Sequence, residues 1–338
     1  MAMQSRVPSG SSPIRPALPP SSLVLPAVRR HARTSPLIPS PELSERLGRE
    51  VLLKAECLQV TGSFKVRGAA ARLEALEPDE RTRGIVACSS GNHGRAVSYV
   101  AGRAGIPARV FVPAWVDPVK LDGIRAGGAE AILLGETFDE CEAAAQAAAR
   151  ESGGVYVSAY DDPWVIAGQG TIGLEIAEQF EQGSIDAVLA PLSGGGLVAG
   201  IAGGLQEEGV GASVVGVSAA HAAVMLHSVR AGQPVELPEQ DTLANALAGG
   251  IGLENRYSFD LVRNRVDEHV SVSEAQISEA MRFAVERLHM VVEGGGAVAL
   301  AAVLGGVWSP PGGDGAVVLV LSGGNVAAET LARVLGSG

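Results

Sequence analysis

The sequence has few of the residues on which several classes of protein depend. Its 3 cysteines are widely spaced and odd in number, which argues against a disulfide framework or a CxxC metal site and favours a reducing cytoplasm. Aromatic residues make up only 4% of the chain, too few for an aromatic-rich β-sandwich. Lys and Arg number 26 against 37 Asp and Glu, and no long basic run offsets the net charge of -11. We therefore do not expect a protein that binds nucleic acid through its phosphates.

Long apolar segments and several catalytic motifs are also missing. No segment reaches the ~18 uncharged apolar residues of a membrane span. Residues 1–22 are rich in Ser and Pro and lack the apolar region of a secretory signal, so we predict a disordered tail there. No HExxH, EF-hand or GxSxG pattern occurs, which argues against the metal enzymes and serine hydrolases that carry them.

Glycine and small apolar residues dominate what is present. The chain contains 44 glycines and is 46% hydrophobic, which favours tight strand-to-helix turns and close packing of helices on a sheet. The predicted strands cover residues 51–55, 85–88, 109–112, 129–133, 155–157, 187–190, 213–217 and 316–321. The predicted helices cover residues 41–47, 64–76, 92–104, 118–126, 138–150, 165–180, 195–205, 222–229 and 274–288.

Strands and helices alternate along most of this list, which implies right-handed βαβ units and mainly parallel sheets. We predict an α/β fold of two lobes, in which mainly parallel twisted sheets are flanked by helices. The carboxyl ends of parallel strands meet at one edge, so the site is expected in the cleft between the lobes.

Lys65 stands where the first convincing strand gives way to a helix. The partial positive charge at a helix N-terminus disfavours a second positive charge, which lowers the pKa of an amine there and favours its nucleophilic form. The alternative is an ordinary surface lysine in the first turn of a helix. The other loops of the chain decide between the two.

A glycine-rich turn, Ser193-Gly194-Gly195-Gly196-Leu197, joins a buried strand to a helix. Free backbone N–H groups converge at a helix start, and glycines allow close approach, so this turn suits a phosphate group. The alternative is a flexible turn that serves packing alone.

A second polar turn, Ser89-Ser90-Gly91-Asn92-His93, follows another buried strand. Its hydroxyl, amide and N–H groups suit a small carboxylate. Alternatively, Ser90 or Asn92 is an ordinary helix cap and His93 is a hydrogen-bonded structural histidine.

Residues 168–173 match GxGxxG, the dinucleotide fingerprint, in a poor context. The motif does not follow its strand directly, and Asp186, the acid nearest the expected spacing, precedes its strand. We therefore disfavour a nicotinamide-dependent oxidoreductase. A catalytically silent α/β binding protein is a further alternative.

Four features together suit pyridoxal phosphate (PLP): a lysine at a helix start, the two polar turns, and a third turn at Ser322. The lysine would form a Schiff base, the glycines would hold the phosphate, and a hydroxyl would face the ring nitrogen.

Four segments, GSFKVRGA (62–69), SSGNHG (89–94), SGGGL (193–197) and LSGGN (321–325), resemble motifs of the serine/threonine dehydratase and serine racemase family. The resemblance covers about residues 25 to 335 and implies a tryptophan-synthase β-like fold. It implies a large PLP-binding domain (23–83 and 161–338), a small mobile domain (84–160) and a homodimer.

The resemblance also implies roles for residues. Lys65 would bind PLP covalently and remove the substrate Cα proton, Phe64 would pack against the cofactor ring, and Ser322 would face its nitrogen. Asn92 would bond the phenolic oxygen of the cofactor. Two groups complete the site: Ser193, Gly194, Gly195, Gly196 and Leu197 for the phosphate, and Ser89, Ser90, Gly91, Asn92 and His93 for the substrate carboxylate.

A neutral serine at the ring nitrogen weakens the cofactor as an electron sink, which favours early loss of a β-hydroxyl. The expected reaction is dehydration and deamination of a small hydroxy amino acid such as threonine or serine, giving a 2-oxo acid and ammonia. Ser90 stands where racemases of the family carry their second acid/base, so racemisation by Lys65 and Ser90 is the alternative. Two positions that bind a divalent cation in racemase-like members are Ser218 and Val224 here, so no metal is expected there.

A finer resemblance, in residues 91–97, 161–170 and 249–256, is to the threonine-dehydratase-like proteins of ectoine and hydroxyectoine utilisation. It implies that the substrate is a hydroxylated amino acid related to diaminobutyrate.

Overall fold

The structure is a computed structural model that describes residues 18–89, 91–114, 118–135, 138–180, 183–310 and 312–336. Its strands are β1 (Leu37–Pro39), β2 (Val51–Lys54), β3 (Ile85–Cys88), β4 (Ala108–Val112), β5 (Glu130–Leu133), β6 (Val155–Tyr156), β7 (Ile185–Pro191), β8 (Ser213–Ala219), β9 (Glu268–Val272) and β10 (Ala316–Val320).

Helices cover both sheets. They are α1 (Ser21–His31), α2 (Pro41–Leu47), α3 (Lys65–Glu74), α4 (Pro78–Arg83), α5 (Asn92–Ala104), α6 (Pro118–Ala126), α7 (Phe138–Ser152), α8 (Pro163–Gln179), α9 (Gly196–Glu207), α10 (Val224–Ala231), α11 (Ser258–Arg265), α12 (Glu274–Glu286), α13 (Gly294–Leu304) and α14 (Ala328–Gly336). None of the helices in the described ranges is both long and apolar enough to cross a membrane.

The strands form two sheets, as expected of two series of βαβ units. The larger sheet has the order β1-β2-β10-β7-β8-β9, and the smaller has the order β5-β4-β3-β6. Every neighbouring pair is parallel except β1 and β2. The predicted α/β class with mainly parallel sheets is confirmed.

Some elements carry no periodic signal and were not predicted. Helix α13 reads GGGAVALAAVL, and all of its residues are buried. A helix that is apolar on every side lacks the period of 3.6 residues by which amphipathic helices are recognised. The prediction also missed α1, β1, α4, α11 and β9.

The predicted disordered tail extends too far. Residues 1–17 lie outside the described ranges, but α1 begins at Ser21, inside the predicted tail. The backbone N–H groups of Ser21 and Ser22 donate to the Glu207 carboxylate at 2.6 and 3.0 Å. A helix start needs partners for its free N–H groups, and a distant residue supplies them here.

The GxGxxG motif lies in the interior of α8 and not in a strand-to-helix turn. A Cβ on Gly170 would come within 2.9 Å of the Gly200 carbonyl oxygen, and one on Gly173 within 2.5 Å of the Ile201 carbonyl oxygen. These glycines therefore allow α8 to pack closely on α9. A dinucleotide has no access to backbone N–H groups that are bonded within a helix, so the motif is not a nicotinamide site.

The sheet topology brings the predicted loops together. Strand β10 lies between β2 and β7, parallel to both, so the turns that contain Lys65, Ser193 and Ser322 leave one edge of the same sheet.

Candidate active site

Lys65 is the first residue of α3, and its side chain points to the segment that joins the two sheets. Its Nζ donates to the Ala159 carbonyl oxygen at 2.8 Å and lies 5.0 Å from the centroid of the Phe64 ring. The pKa of Lys65 is lowered to about 8, mainly because burial removes water from the ammonium, while the Glu293 carboxylate acts in the opposite direction. A larger fraction of this amine is uncharged near neutral pH than in an exposed lysine, as a nucleophile or base requires.

The turn at Ser322 is bonded to the segment that carries Lys65. The Phe64 N–H donates to the Ser322 carbonyl oxygen at 3.1 Å, and Ser63 and Gly323 form an antiparallel bridge. Ser322 is itself buried, with 4% of its surface exposed. The structure therefore brings together Phe64, Lys65 and Ser322, as the sequence predicted for one site.

The glycine-rich turn is shaped by a contact that the sequence did not reveal. A Cβ on Gly194 would lie 2.3 Å from Cγ of Tyr160, and one on Gly196 would lie 2.7 Å from the Tyr160 carbonyl oxygen. Gly195 has φ 86 and precedes α9, so the turn ends in the left-handed conformation that glycine adopts readily. Ser193 Oγ donates to the Leu247 carbonyl oxygen at 2.8 Å. The turn meets both needs of a phosphate site, namely a helix start and a backbone without side chains.

Asn92 lies at the start of α5 between two polar partners. Its Nδ2 donates to Glu293 Oε1 at 2.5 Å, and its Oδ1 accepts from Asn325 Nδ2 at 2.7 Å. Gly91 is the residue that precedes the helix, so Asn92 is not a helix cap. In the same turn, Ser89 Oγ accepts the Gly91 N–H at 3.1 Å. Ser90 lies outside the described residues.

The ring of His93 is held by a hydrogen bond to the backbone. Its Nε2 lies 2.9 Å from the Val157 carbonyl oxygen, and only 3% of its surface is exposed. Burial, and to a lesser degree the positive charge of Lys65, lower the pKa of His93 to about 3. The ring is therefore neutral and donates its proton to a carbonyl, so it is not placed to act as a base.

Glu293 is the site residue that the sequence analysis missed. It precedes α13, is 6% exposed, and its N–H donates to the Gly323 carbonyl oxygen at 3.0 Å. Three glycines follow it at the helix start, which is a signal of close approach by another group. No predicted strand precedes Glu293, so the sequence does not place this turn at the edge of a sheet with the others.

Buried charges hold the opposite side of α3. Arg67 bonds Glu56 at 2.8 and 2.9 Å and Glu175 at 2.7 Å, and Lys54 Nζ donates to Glu175 at 2.7 Å. All four side chains are at most 1% exposed. Arg67 of α3 and Lys54 of β2 therefore share the Glu175 carboxylate of α8, and Arg67 also binds Glu56. This buried network joins α3, two residues after Lys65, to β2 and α8.

Ser218 and Val224 stand at the two positions that bind a divalent cation in racemase-like members of the family. Ser218 is buried and its Oγ donates to the Leu192 carbonyl oxygen at 2.8 Å, while Val224 carries no ligand atom. Within the part of the chain that the structure describes, no cluster of three His, Cys, Asp or Glu side chains could hold a metal.

Comparisons with known proteins agree with this geometry. A family model described as "Pyridoxal-phosphate dependent enzyme" matches residues 28–323. A putative threonine dehydratase of Sinorhizobium fredii is 40% identical over 299 residues, which are 88% of this chain and 89% of that protein. An L-threonine ammonia-lyase of Geobacter sulfurreducens is 38% identical over 311 residues, 92% of this chain and 76% of that protein.

Among solved structures, that of maize serine racemase superposes with a TM-score of 0.86 at 29% identity, covering 93% of this chain and 94% of that one. The comparison confirms the expected fold. The residues present also suit PLP: a half-buried amine of lowered pKa, a glycine turn at a helix start, and a neutral serine at the neighbouring strand end. The chain belongs to the family of pyridoxal-phosphate dependent enzymes.

Proposed function

We propose that the protein is an ammonia-lyase that dehydrates and deaminates a small hydroxy amino acid such as threonine or serine to a 2-oxo acid. The observation that carries the proposal is Lys65, whose amine has a pKa lowered to about 8 and whose neighbour Phe64 donates its backbone N–H to the carbonyl oxygen of the buried Ser322. The similarity to threonine dehydratase and L-threonine ammonia-lyase supports the substrate class.

PLP, when bound, supplies an aldehyde that couples to amines and a ring that draws electrons from the substrate Cα. Lys65 Nζ would hold this aldehyde and, once the substrate amine has replaced it, accept the Cα proton. Ser322 would face the ring nitrogen without a charge, which leaves the ring a weak electron sink and favours prompt departure of the β-hydroxyl. Phe64 would pack on the ring.

The remaining groups orient and bind. Asn92 is held by Glu293 and Asn325 and would direct its amide to the phenolic oxygen of the cofactor. The turn from Ser193 to Leu197 would receive the phosphate at the start of α9. The turn with Ser89, Ser90, Gly91 and His93 would receive the substrate carboxylate through backbone N–H groups and hydroxyls, because the His93 ring is engaged elsewhere.

The test is to offer the purified holoenzyme L-threonine, L-serine, D-serine, 3-hydroxyaspartate and a hydroxylated diaminobutyrate. We expect ammonia and a 2-oxo acid from at least one of them, and loss of both products in Lys65→Ala. No product from any of these substrates would contradict the proposal.

Serine racemisation is the second candidate, because the maize serine racemase structure matches nearly the whole chain. Lys65 and Ser90 would then act on opposite faces of the substrate. If this is correct, Ser90→Ala abolishes inversion of serine while elimination continues. Inversion at an unchanged rate in Ser90→Ala would exclude the two-base mechanism.

The motifs shared with proteins of ectoine and hydroxyectoine utilisation support a substrate related to diaminobutyrate. Preference for the hydroxylated diaminobutyrate over L-threonine in kcat/KM would establish this choice. The resemblance to the dehydratase and racemase family supports a homodimer, which sedimentation of the purified protein tests. The few, widely spaced cysteines support a cytoplasmic location.

A further inference from the structure

Arg265, the last residue of α11, lies against the C-terminal half of α9. A Cβ on Gly203 of α9 would come within 2.7 Å of Arg265 Nη1, so the missing side chain makes room for the guanidinium. Two cavities of about 350 and 260 Å³ lie here, and Arg265 and Gln206 line both of them. The guanidinium therefore stands at the boundary of two open spaces.

The nearby carboxylates are committed to other partners. Glu207 accepts the backbone N–H groups at the start of α1 at 2.6 and 3.0 Å, and Asp267 Oδ2 accepts the Val214 N–H at 2.8 Å. Within the described ranges, the Arg265 guanidinium makes no hydrogen bond and no ion pair. Residues 1–17 contain no Asp or Glu, so they have no side-chain carboxylate for an ion pair with Arg265.

Burial lowers the pKa of Arg265, and the charge of Glu207 opposes this only in part. A guanidinium that is partly shielded from water and makes no hydrogen bond within the described ranges is stabilised by an anion that accepts its N–H groups.

The larger cavity lies at the edge of the sheet opposite the candidate active site. Val214, near the amino end of β8, lines the larger cavity, whereas Ser193 follows the carboxyl end of β7, which is parallel to β8. Helices α9 and α11 both run from the active-site edge to the cavities. An occupant of the larger cavity would therefore contact the far ends of two helices that begin beside the glycine turn.

We propose that Arg265 anchors a second binding site, which takes a small anion with a carboxylate or phosphate group. The planar guanidinium presents paired N–H donors that match either group. Gln206 lines both cavities and Asn264 lines the larger one, and their side-chain amides add donors at the rim. This proposal does not depend on the reaction assigned to Lys65.

The experiment uses the holoenzyme, in which the cofactor phosphate occupies its own site. Inorganic phosphate and acetate are titrated calorimetrically at constant ionic strength set with chloride. We expect saturable binding of at least one probe at one site per chain, weakened about 10-fold or more in Arg265→Gln. Binding of phosphate alone assigns a phosphate ligand, and binding of acetate alone assigns a carboxylate ligand.

Arg263→Gln is the matched control. Arg263 lies on the same helix two positions earlier, is exposed and pairs with Asp260 at 3.3 Å, so its loss should leave the binding unchanged. Absence of saturable binding of both probes to the wild type would overturn the proposal. Binding of equal strength in Arg265→Gln, or equal weakening in Arg263→Gln, would overturn it too.

Discussion

Asn92 Nδ2 donates to Glu293 Oε1 at 2.5 Å and so joins the first turn of α5 to the residue that precedes α13. Helix α5 follows a strand of the smaller sheet, whereas Glu293 bonds the turn that leaves the larger sheet. The same carboxylate raises the pKa of Lys65, against the effect of burial. One buried acid therefore acts on both the amine and the amide of the candidate site.

We expect the pH dependence of cofactor uptake to report the amine of Lys65. Only the uncharged amine attacks an aldehyde, so the rate at which the apoprotein binds PLP should rise with pH and level off above about 8, the lowered pKa of Lys65. Stopped-flow absorbance of the bound cofactor measures this rate. A rate that continues to rise beyond pH 10, as for an ordinary lysine with a pKa near 10.4, would show that burial does not lower the pKa of Lys65.

Replacing Glu293 by Gln should move this profile to lower pH. The amide keeps an acceptor for Asn92 but removes the negative charge that raises the pKa of Lys65. The hydrogen bond to Asn92 changes from one with a charged acceptor, which contributes about 1.5–3 kcal/mol, to one with a neutral acceptor, which contributes about 0.5–1.5 kcal/mol. We therefore expect kcat/KM to fall about 5- to 10-fold. Glu293→Asp, which keeps the charge on a shorter side chain, separates the two effects: its profile should stay near that of the wild type. A profile unmoved in Glu293→Gln would contradict the electrostatic role.

The glycine turn should tolerate no side chain at Gly194 while Tyr160 is present. The Cβ of Gly194→Ala would lie 2.3 Å from the Tyr160 ring, and overpacking of this kind costs about 1–3 kcal/mol. We expect PLP to bind at least about 5-fold more weakly, by fluorescence titration of the apoprotein. The double variant Gly194→Ala with Tyr160→Ala should recover affinity relative to Gly194→Ala alone. Gly211→Ala, where no atom lies within 4 Å of the new Cβ, is the control.

The sequence allowed prediction of the elements and loops whose signals are local. Parallel βαβ units place strand ends at one edge, so the sequence predicts that Lys65, Ser193 and Ser322 lie close together. Helix α5 was predicted with the bounds that the structure has, because Gly91 precedes it and its apolar residues recur at helical spacing.

Contacts between distant segments could not be read in this way. Glu293 and Asn92 are 201 positions apart, and neither position carries a periodic or motif signal for the other. Position 194 must be glycine because the ring of Tyr160 occupies the space that a side chain would need. From the sequence alone, close approach by a ligand would explain this glycine equally well. Ser90 lies outside the described residues, so its role as a second acid/base stays a prediction.

The buried charges below α3 give the largest expected effect on stability. Arg67→Met would leave Glu56 without its cation and Glu175 with Lys54 alone, and removing one partner of a buried ion pair costs about 3–5 kcal/mol. Urea unfolding of the holoenzyme measures the loss.

The double variant Arg67→Met with Glu56→Gln should recover part of the lost stability, because it removes the carboxylate left without a partner and retains the Lys54–Glu175 pair. Arg263→Gln breaks an exposed pair and should change stability by less than about 1 kcal/mol. A double variant less stable than Arg67→Met alone would show that hydrogen bonding by Glu56, and not its unpaired charge, dominates the cost.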